Sequence, residues 1–180
     1  LDNKLPTILV LPCFCACFSN LAVGLISGEW VWEIDFALLF SMILLSFLTA
    51  LSEELLFRLC LFKLFEEYSS FKRILYSSAV FGLMHLVNFI GSWNPIVFVQ
   101  VIYTFGIGLL LGVIYEGTHK LLLCVLFHFL FNVLNNDLFA MIYTGTQDLR
   151  YFTINIIIGV LVGIYCLIIY KTKLTKENKK

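Results

Sequence analysis

A few ionisable and amide side chains interrupt stretches of the chain that are otherwise apolar. They are Glu53, Glu54, Arg58, His85, His128 and Asn132. A carboxylate can take a proton from a water molecule, and imidazole and amide groups can donate hydrogen bonds to a carbonyl oxygen that becomes negative. These residue types can therefore support hydrolysis at a carbonyl group by an activated water molecule.

The spacing of these residues predicts which of them act together. Glu54 and Arg58 are four residues apart with the acid first, which is the order that favours an ion pair on a helix. Glu53 points about 100° away from Glu54 around a helix, so it is expected to stay outside that pair. His128 and Asn132 are also four residues apart and are expected to share one helix face.

The composition indicates what kind of element must position these side chains. Of the 180 residues, 61% are apolar and only 13% are charged, whereas about a quarter of residues are charged in soluble domains. The mean hydropathy is +0.95. These values favour an integral membrane protein. The net charge is zero, so nothing indicates binding to nucleic acid.

Apolar runs of membrane-spanning length recur along the chain. Each is near or above the ~20 residues that a helix needs to cross a bilayer. They are residues 5–26, 36–62, 73–91, 95–115, 121–142 and 151–170. We therefore predict an all-α fold, a polytopic membrane helix bundle of about six transmembrane helices with the site in its core. Residues 1–180 are predicted to form a single integral membrane domain.

The distribution of basic residues predicts the orientation in the membrane. The tail, residues 173–180, is rich in lysine and is predicted to be cytoplasmic. Six crossings would then place the N-terminus in the cytoplasm as well. The chain is thus predicted to be a multi-pass protein of the cell membrane, with the lipid bilayer as its first partner.

The polar residues are expected to lie at a common depth. With a helix rise of ~1.5 Å per residue, measured from the nearest basic residue, Glu53 lies about 15 Å deep. His85 lies about 18–20 Å deep and Asn132 about 18 Å deep on the same scale. Three separate helices would then bring their polar side chains to one layer, as a single buried site requires. Asn88, Asn135 and Asn136 are expected to serve helix packing or to line a cavity. Asp137 is expected at the outer surface.

Three short motifs in this order resemble those of a known family. They are EELLFR (53–58), FGLMH (81–85) and HFLFN (128–132), which fit Glu-Glu-x-x-x-Arg, Phe-x-x-x-His and His-x-x-x-Asn. The chain resembles the CPBP family of CAAX proteases and bacteriocin-processing enzymes, also called Abi or type II CAAX prenyl endopeptidase-like proteins. The resemblance covers about residues 45–140, which we take as the catalytic core.

The resemblance implies an intramembrane endopeptidase and a role for each matching residue. The matching residues are Glu53, His85, His128 and Asn132, with Glu54 and Arg58 as a supporting pair. Glu53 matches the carboxylate that activates water, and His85 matches its partner in that step. His128 and Asn132 match the residues that stabilise the oxyanion.

Two catalytic types remain open for such a site. Glu53, His85 and His128 could supply the two histidines and one carboxylate of a zinc site. However, the sequence contains no His-Glu-x-x-His helix, so we favour Glu-activated water without a cofactor and keep zinc as the alternative. Cys124 lies four residues before His128, but no serine or cysteine lies within the three motifs, so a covalent nucleophile is not indicated.

The expected reaction is cleavage near the C-terminus of a membrane-associated substrate, either a prenylated protein or an amphipathic peptide. This would serve CAAX processing, or bacteriocin maturation or self-immunity. The first alternative is a non-catalytic membrane protein that acts in immunity or as a scaffold. The second is a small transporter that uses the buried acids as a proton relay.

Overall fold

A computed structural model describes residues 12, 15–27, 30, 34–143 and 149–174. The predictions for the beginning of the first apolar run and for most of the basic tail, residues 173–180, lie outside these residues. The same holds for parts of the loops between the first and second runs and between the fifth and sixth runs.

The described residues are helical almost throughout, so the predicted all-α class is confirmed. The α-helices are α1 (Ser19–Ser27), α2 (Phe36–Glu54), α3 (Leu61–Leu64), α4 (Ser70–Met84), α5 (Val87–Ser92), α6 (Ile96–Thr118), α7 (Leu121–Asn132), α8 (Leu138–Ile142) and α9 (Leu149–Ile169). Three π-helical segments extend or join them, namely π1 (Leu55–Cys60), π2 (Val133–Asp137) and π3 (Tyr170–Leu174). An isolated bridge between Trp30 and Tyr143 is the one β-type pairing in the described part.

Four helices within the described residues are long and apolar enough to cross a membrane. They are Phe36–Leu64, Ser70–Gly91, Ile96–Thr118 and Thr153–Thr172. They match four of the six predicted runs. The fifth run contains a shorter apolar helix, Leu121–Asp137, which changes from α-helix to π-helix after Asn132. The chain is thus a polytopic membrane helix bundle.

Helix α6 is the most buried of these spans and forms the centre of the bundle. It packs against α4 on one side and against α9 on the other. A Cβ atom at Gly106 would overlap the backbone carbonyl of Gly159 in α9, and one at Gly112 would lie 3.1 Å from Cγ2 of Ile74 in α4. Small residues thus allow the close helix approach on which packing within a membrane depends.

Helix α2 lies at the edge of the bundle and buries only a narrow stripe. Asp35 caps its first turn by accepting hydrogen bonds from the backbone N–H groups of residues 37 and 38. The buried residues Ser46, Ala50 and Glu54 follow at intervals of four, so they share one face, and α2 packs against α7. Glu53 therefore lies beside the buried stripe rather than in it.

A buried polar cluster attaches α1 to the rest of the bundle. Oδ1 of Asn135 in π2 accepts hydrogen bonds from the Ser19 hydroxyl (2.8 Å) and from the Asn20 backbone N–H (2.7 Å). Asn155 in α9 donates from Nδ2 to Oδ1 of Asn20 over 2.9 Å. All four side chains are buried. The packing role predicted for Asn135 is therefore confirmed, since hydrogen bonds between helices satisfy amides away from water.

Candidate active site

The four residues predicted to act on the substrate line one cleft. Its volume is about 460 Å³, and Glu53, His85, His128 and Asn132 are all among its lining residues. Glu53 comes from α2, His85 directly follows α4, and the other two lie on α7. Three helices therefore bring these side chains together, while their individual catalytic roles remain predictions.

Beside the cleft, Glu54 and Arg58 form the ion pair that their spacing predicts. Arg58 Nε lies 3.1 Å from Glu54 Oε2, and both side chains are completely buried. Arg58 also donates from Nη2 to the carbonyl oxygen of Gly108 over 3.4 Å. Its Nη1 and Nε have no hydrogen-bond partner of good geometry. The arginine is thus charge-paired but incompletely hydrogen-bonded.

Glu54 has a second contact that the sequence analysis missed. Nδ1 of His128 donates a hydrogen bond to the other carboxylate oxygen, Oε1, over 2.9 Å. One carboxylate therefore contacts a cation four residues along its own helix and an imidazole on α7. No signal in the sequence indicates this contact, because it depends on how α2 and α7 are rotated against each other.

The Glu54 contact sets the orientation of the His128 ring. A carboxylate only accepts hydrogen bonds, so Nδ1 of His128 carries its hydrogen and Nε2 faces away from Glu54. That second nitrogen lies 3.6 Å from Oε2 of Glu53, which is too far for a direct hydrogen bond. Glu53 is about 30% exposed. The carboxylate and Nε2 thus face the cleft side by side, where one water molecule can contact both.

His85 is held in a corresponding way by its own helix. Its Nδ1 lies 2.9 Å from the carbonyl oxygen of Phe81. Because a carbonyl oxygen only accepts, Nδ1 is the donor, which leaves Nε2 for another partner. His85 is the C-terminal cap of α4 and is half-buried. The end of α4 therefore places this imidazole in the cleft wall.

Phe81 separates the two imidazole rings. Its ring centroid lies 5.2 Å from that of His85 and 5.6 Å from that of His128, edge to face in both cases. The Arg58 guanidinium lies 5.0 Å from the centre of the same ring, within the range of a cation–π contact. Phe81 begins the motif FGLMH, but its contacts with three site residues could not be deduced from the motif.

The residue types at the site could bind zinc, but their placement does not suit a zinc ion. Both histidines use Nδ1 for a hydrogen bond and keep Nε2 available, which is how histidine ligands of metals are usually held. However, no three His, Cys, Asp or Glu side chains in the described part of the chain are grouped so that they could hold a metal ion. Glu53, His85 and His128 line one cleft without converging on one point.

Two of the three π-helical segments, π1 and π2, begin directly after site residues. π1 follows Glu54 and π2 follows Asn132, and π-bulges are frequent at functional sites. The hydroxyl of Ser77 in α4 donates to the backbone carbonyl of Phe57 in π1 over 2.7 Å. This bond matters because backbone groups away from water need partners within the protein. The sequence pattern predicted neither segment.

Asp137 does not lie where the sequence analysis expected it. It was predicted at the outer surface, but it is half-buried and lines the cleft. Oδ2 of Asp137 accepts a hydrogen bond from the Ser46 hydroxyl over 2.5 Å. The physical reason is π2, because a π-helix has more residues per turn and so changes the direction in which the following side chains point.

The remaining amides with predicted packing or lining roles also lie near this cleft. Asn136 and Asn88 are among its lining residues. Asn88 is exposed and donates from Nδ2 to Oε1 of Gln100 over 3.1 Å. The lining predicted for these amides is therefore confirmed. Gln100, which the sequence analysis did not consider, adds a further polar group from α6.

Comparison with known proteins identifies a family. The family model described as "Type II CAAX prenyl endopeptidase Rce1-like" matches residues 35–134. This segment begins at the cap of α2 and ends within π2, so it contains every predicted site residue. No curated protein and no solved structure matches the chain.

Proposed function

The chain belongs to the type II CAAX prenyl endopeptidase Rce1-like family, a family of membrane proteases, and from this premise we propose that it is an intramembrane endopeptidase. It hydrolyses a peptide bond near the C-terminus of a membrane-associated substrate. The observation that carries the proposal is that Glu53, His85, His128 and Asn132 line the same cleft.

Glu53 is the proposed general base. It is partly exposed in the cleft, so a water molecule can reach it. As the water oxygen attacks the carbonyl carbon of the substrate, Glu53 takes the proton that is released. When the carbon–nitrogen bond breaks, Glu53 returns that proton to the leaving amine. The carboxylate is thereby restored for the next cycle.

His128 and Asn132 are the proposed oxyanion-stabilising residues. They are one helical turn apart on α7, so both can address the same carbonyl oxygen. The protonated form of His128 donates from Nε2 into the cleft, while Glu54 holds Nδ1. Such prearranged donors stabilise charge that develops only in the transition state. His85, which lines the same cleft, assists Glu53 with its Nε2.

Glu54 and Arg58 are the proposed supporting pair. Neither is exposed to the cleft, since both side chains are completely buried. Their effect on the reaction therefore passes through His128, whose ring Glu54 orients. Arg58 supplies a positive charge that compensates the buried carboxylate.

We favour water activation without a metal because Glu53 faces His128 and because the three candidate ligands do not converge. A zinc-dependent form of the same protease is the second candidate. It is favoured by one observation, which is that both histidines keep Nε2 available. Chelator treatment distinguishes the two forms.

The substrate is proposed to be a prenylated protein or an amphipathic peptide that approaches from the bilayer. Helix α2 carries Glu53 and is the least buried of the candidate membrane spans. An edge helix with an apolar outer face suits a substrate anchored in lipid. CAAX processing and bacteriocin maturation or self-immunity both fit this class of substrate.

The decisive experiment uses the full chain in liposomes with a library of fluorogenic C-terminal peptides. Replacing Glu53 by glutamine should lower the cleavage rate about 10²- to 10⁴-fold, the usual contribution of a general base. Glu67→Gln, at an exposed carboxylate after α3, is the matched control and should cleave at the wild-type rate. Equal rates for the wild type and Glu53→Gln would refute the assignment.

The same assay also tests the alternatives. Loss of activity with chelator and recovery with zinc would establish the metal-dependent form. If the wild type cleaves no member of the library but still binds a membrane partner, the immunity or scaffold function would replace the protease.

A further inference from the structure

The cleft has a second polar end, away from Glu53 and His128. Two contacts between α2 and the helix formed by α7 and π2 mark the two ends of the cleft. At one end Glu53 faces His128, and at the other Ser46 donates to Asp137. Ser46 lies seven residues before Glu53 on α2, which corresponds to about 10 Å along the helix. The two ends are therefore separated by roughly three residues of an extended peptide, at ~3.3 Å each.

Asp137 carries an uncompensated carboxylate at that second end. Its Oδ2 accepts the hydrogen bond from Ser46. Within the described residues, no Lys, Arg or His forms an ion pair with it. An ionisable side chain at membrane depth normally has a partner of opposite charge or a function. Glu54, which is completely buried, has Arg58 as its cation, whereas the half-buried Asp137 has none among the described residues.

The cleft that Asp137 lines also carries polar groups that suit a peptide. Asn136, Gln100 and Thr104 line the same cleft. Amide and hydroxyl groups can bind the backbone of a peptide, but they gain nothing from an isoprenoid or acyl chain. The polar groups of the cleft therefore favour the peptide part of a substrate as its occupant.

We propose that Asp137 is a specificity-determining residue that binds a lysine or arginine side chain of the substrate, about three residues from the bond that is cut. The proposal rests on the proposed function and adds a class of substrate to it. The carboxylate forms an ion pair with the incoming cation, and Ser46 keeps that carboxylate directed into the cleft.

The test compares peptides that carry lysine, norleucine or glutamate three residues from the scissile bond, placed in turn on either side of it. The full chain in liposomes should cleave one lysine peptide with a kcat/KM about tenfold above that of its norleucine counterpart, through a lower KM. This is the size of a modest coupling between close charges. Asp137→Asn keeps an acceptor for Ser46. In this variant the ratio of kcat/KM for the lysine peptide to that for the norleucine peptide should fall to about one. Asp137→Lys should cleave the glutamate peptide with a higher kcat/KM than the lysine peptide.

Asp137→Glu and Ser46→Ala are the control variants. The first keeps the charge and should keep the preference for lysine. The second removes only the hydroxyl, so it should reduce the ratio without abolishing it. A purely structural role for Asp137 would predict similar losses for all three peptides. An unchanged lysine-to-norleucine ratio in Asp137→Asn, or no lysine preference in the wild type, would overturn the proposal.

Direct binding separates failure of this proposal from failure of the proposed function. Fluorescence anisotropy of the labelled lysine and norleucine peptides on the full chain in liposomes needs no cleavage. Tighter binding of the lysine peptide by the wild type but not by Asp137→Asn supports the ion pair even if no peptide is cut. Equal affinities of the two peptides for the wild type would refute it even if both are cleaved.

Discussion

His128 donates a hydrogen bond from Nδ1 to Oε1 of Glu54 over 2.9 Å, and this contact joins two of the three sequence motifs. The other carboxylate oxygen of Glu54 lies 3.1 Å from Nε of Arg58. A single buried acid thus links an arginine on its own helix to an imidazole on another. The orientation of His128 depends on a residue that is not itself exposed to the cleft.

Breaking the buried ion pair on one side should strongly destabilise the protein. Arg58→Met leaves Glu54 buried without its cation, and we expect a loss of about 3–5 kcal/mol in the free energy of unfolding. Glu54→Gln/Arg58→Met removes both charges and should regain most of that loss, because the arginine is incompletely hydrogen-bonded. Thermal unfolding in detergent measures both variants. A double variant no more stable than Arg58→Met would contradict the expectation.

The double variant should nevertheless remain a poor enzyme. Glutamine at position 54 offers His128 a neutral amide oxygen in place of the carboxylate, so the hydrogen bond that orients the ring is weaker and the protonated ring loses its counter-charge. We expect kcat to fall about 10- to 100-fold, the range for residues that orient a functional histidine. The kcat of the double variant is compared with that of the wild type in liposomes, under conditions where the variant is folded. Full activity in the stable double variant would show that Glu54 serves the fold alone.

Ser77 should stabilise the π-helical segment that follows Glu54. Ser77→Ala removes the hydroxyl that donates to the Phe57 carbonyl, and a buried carbonyl without a partner costs about 1–3 kcal/mol. Ser52→Ala is the matched control, because Ser52 is exposed and bonds only within its own helix. Comparison of their melting temperatures tests this. Similar shifts for both variants would mean that the Phe57 carbonyl needs no partner.

Gly106 should be intolerant of any side chain. Gly106→Ala places a methyl group against the Gly159 carbonyl, so α6 and α9 must move apart. We expect a destabilisation of about 1–3 kcal/mol, as for overpacked cores. Gly91→Ala, where a Cβ would meet no atom within 4 Å, should leave the melting temperature nearly unchanged. The prediction is wrong if Gly106→Ala has the same melting temperature as the wild type.

The local part of the site could be predicted from the sequence. Glu54 and Arg58 belong to one continuous helical stretch, so a spacing of four residues was enough to pair them. The same holds for the common face of His128 and Asn132. A common position for these residues could also be predicted by counting residues along each run. The rise of a helix is constant, and three apolar runs carry their polar residues at similar distances from one end.

Only the tertiary structure decided the contacts between helices. The Glu54–His128 hydrogen bond and the position of Phe81 between two imidazoles depend on the rotation of each helix against its neighbours, which no spacing within a run encodes. Asp137 was placed wrongly for a related reason. Its direction depends on π2, and the pattern of residue types does not distinguish a π-helical segment from an α-helix. Composition and periodicity therefore determined the membrane bundle and its polar layer, while packing determined which atoms within that layer meet.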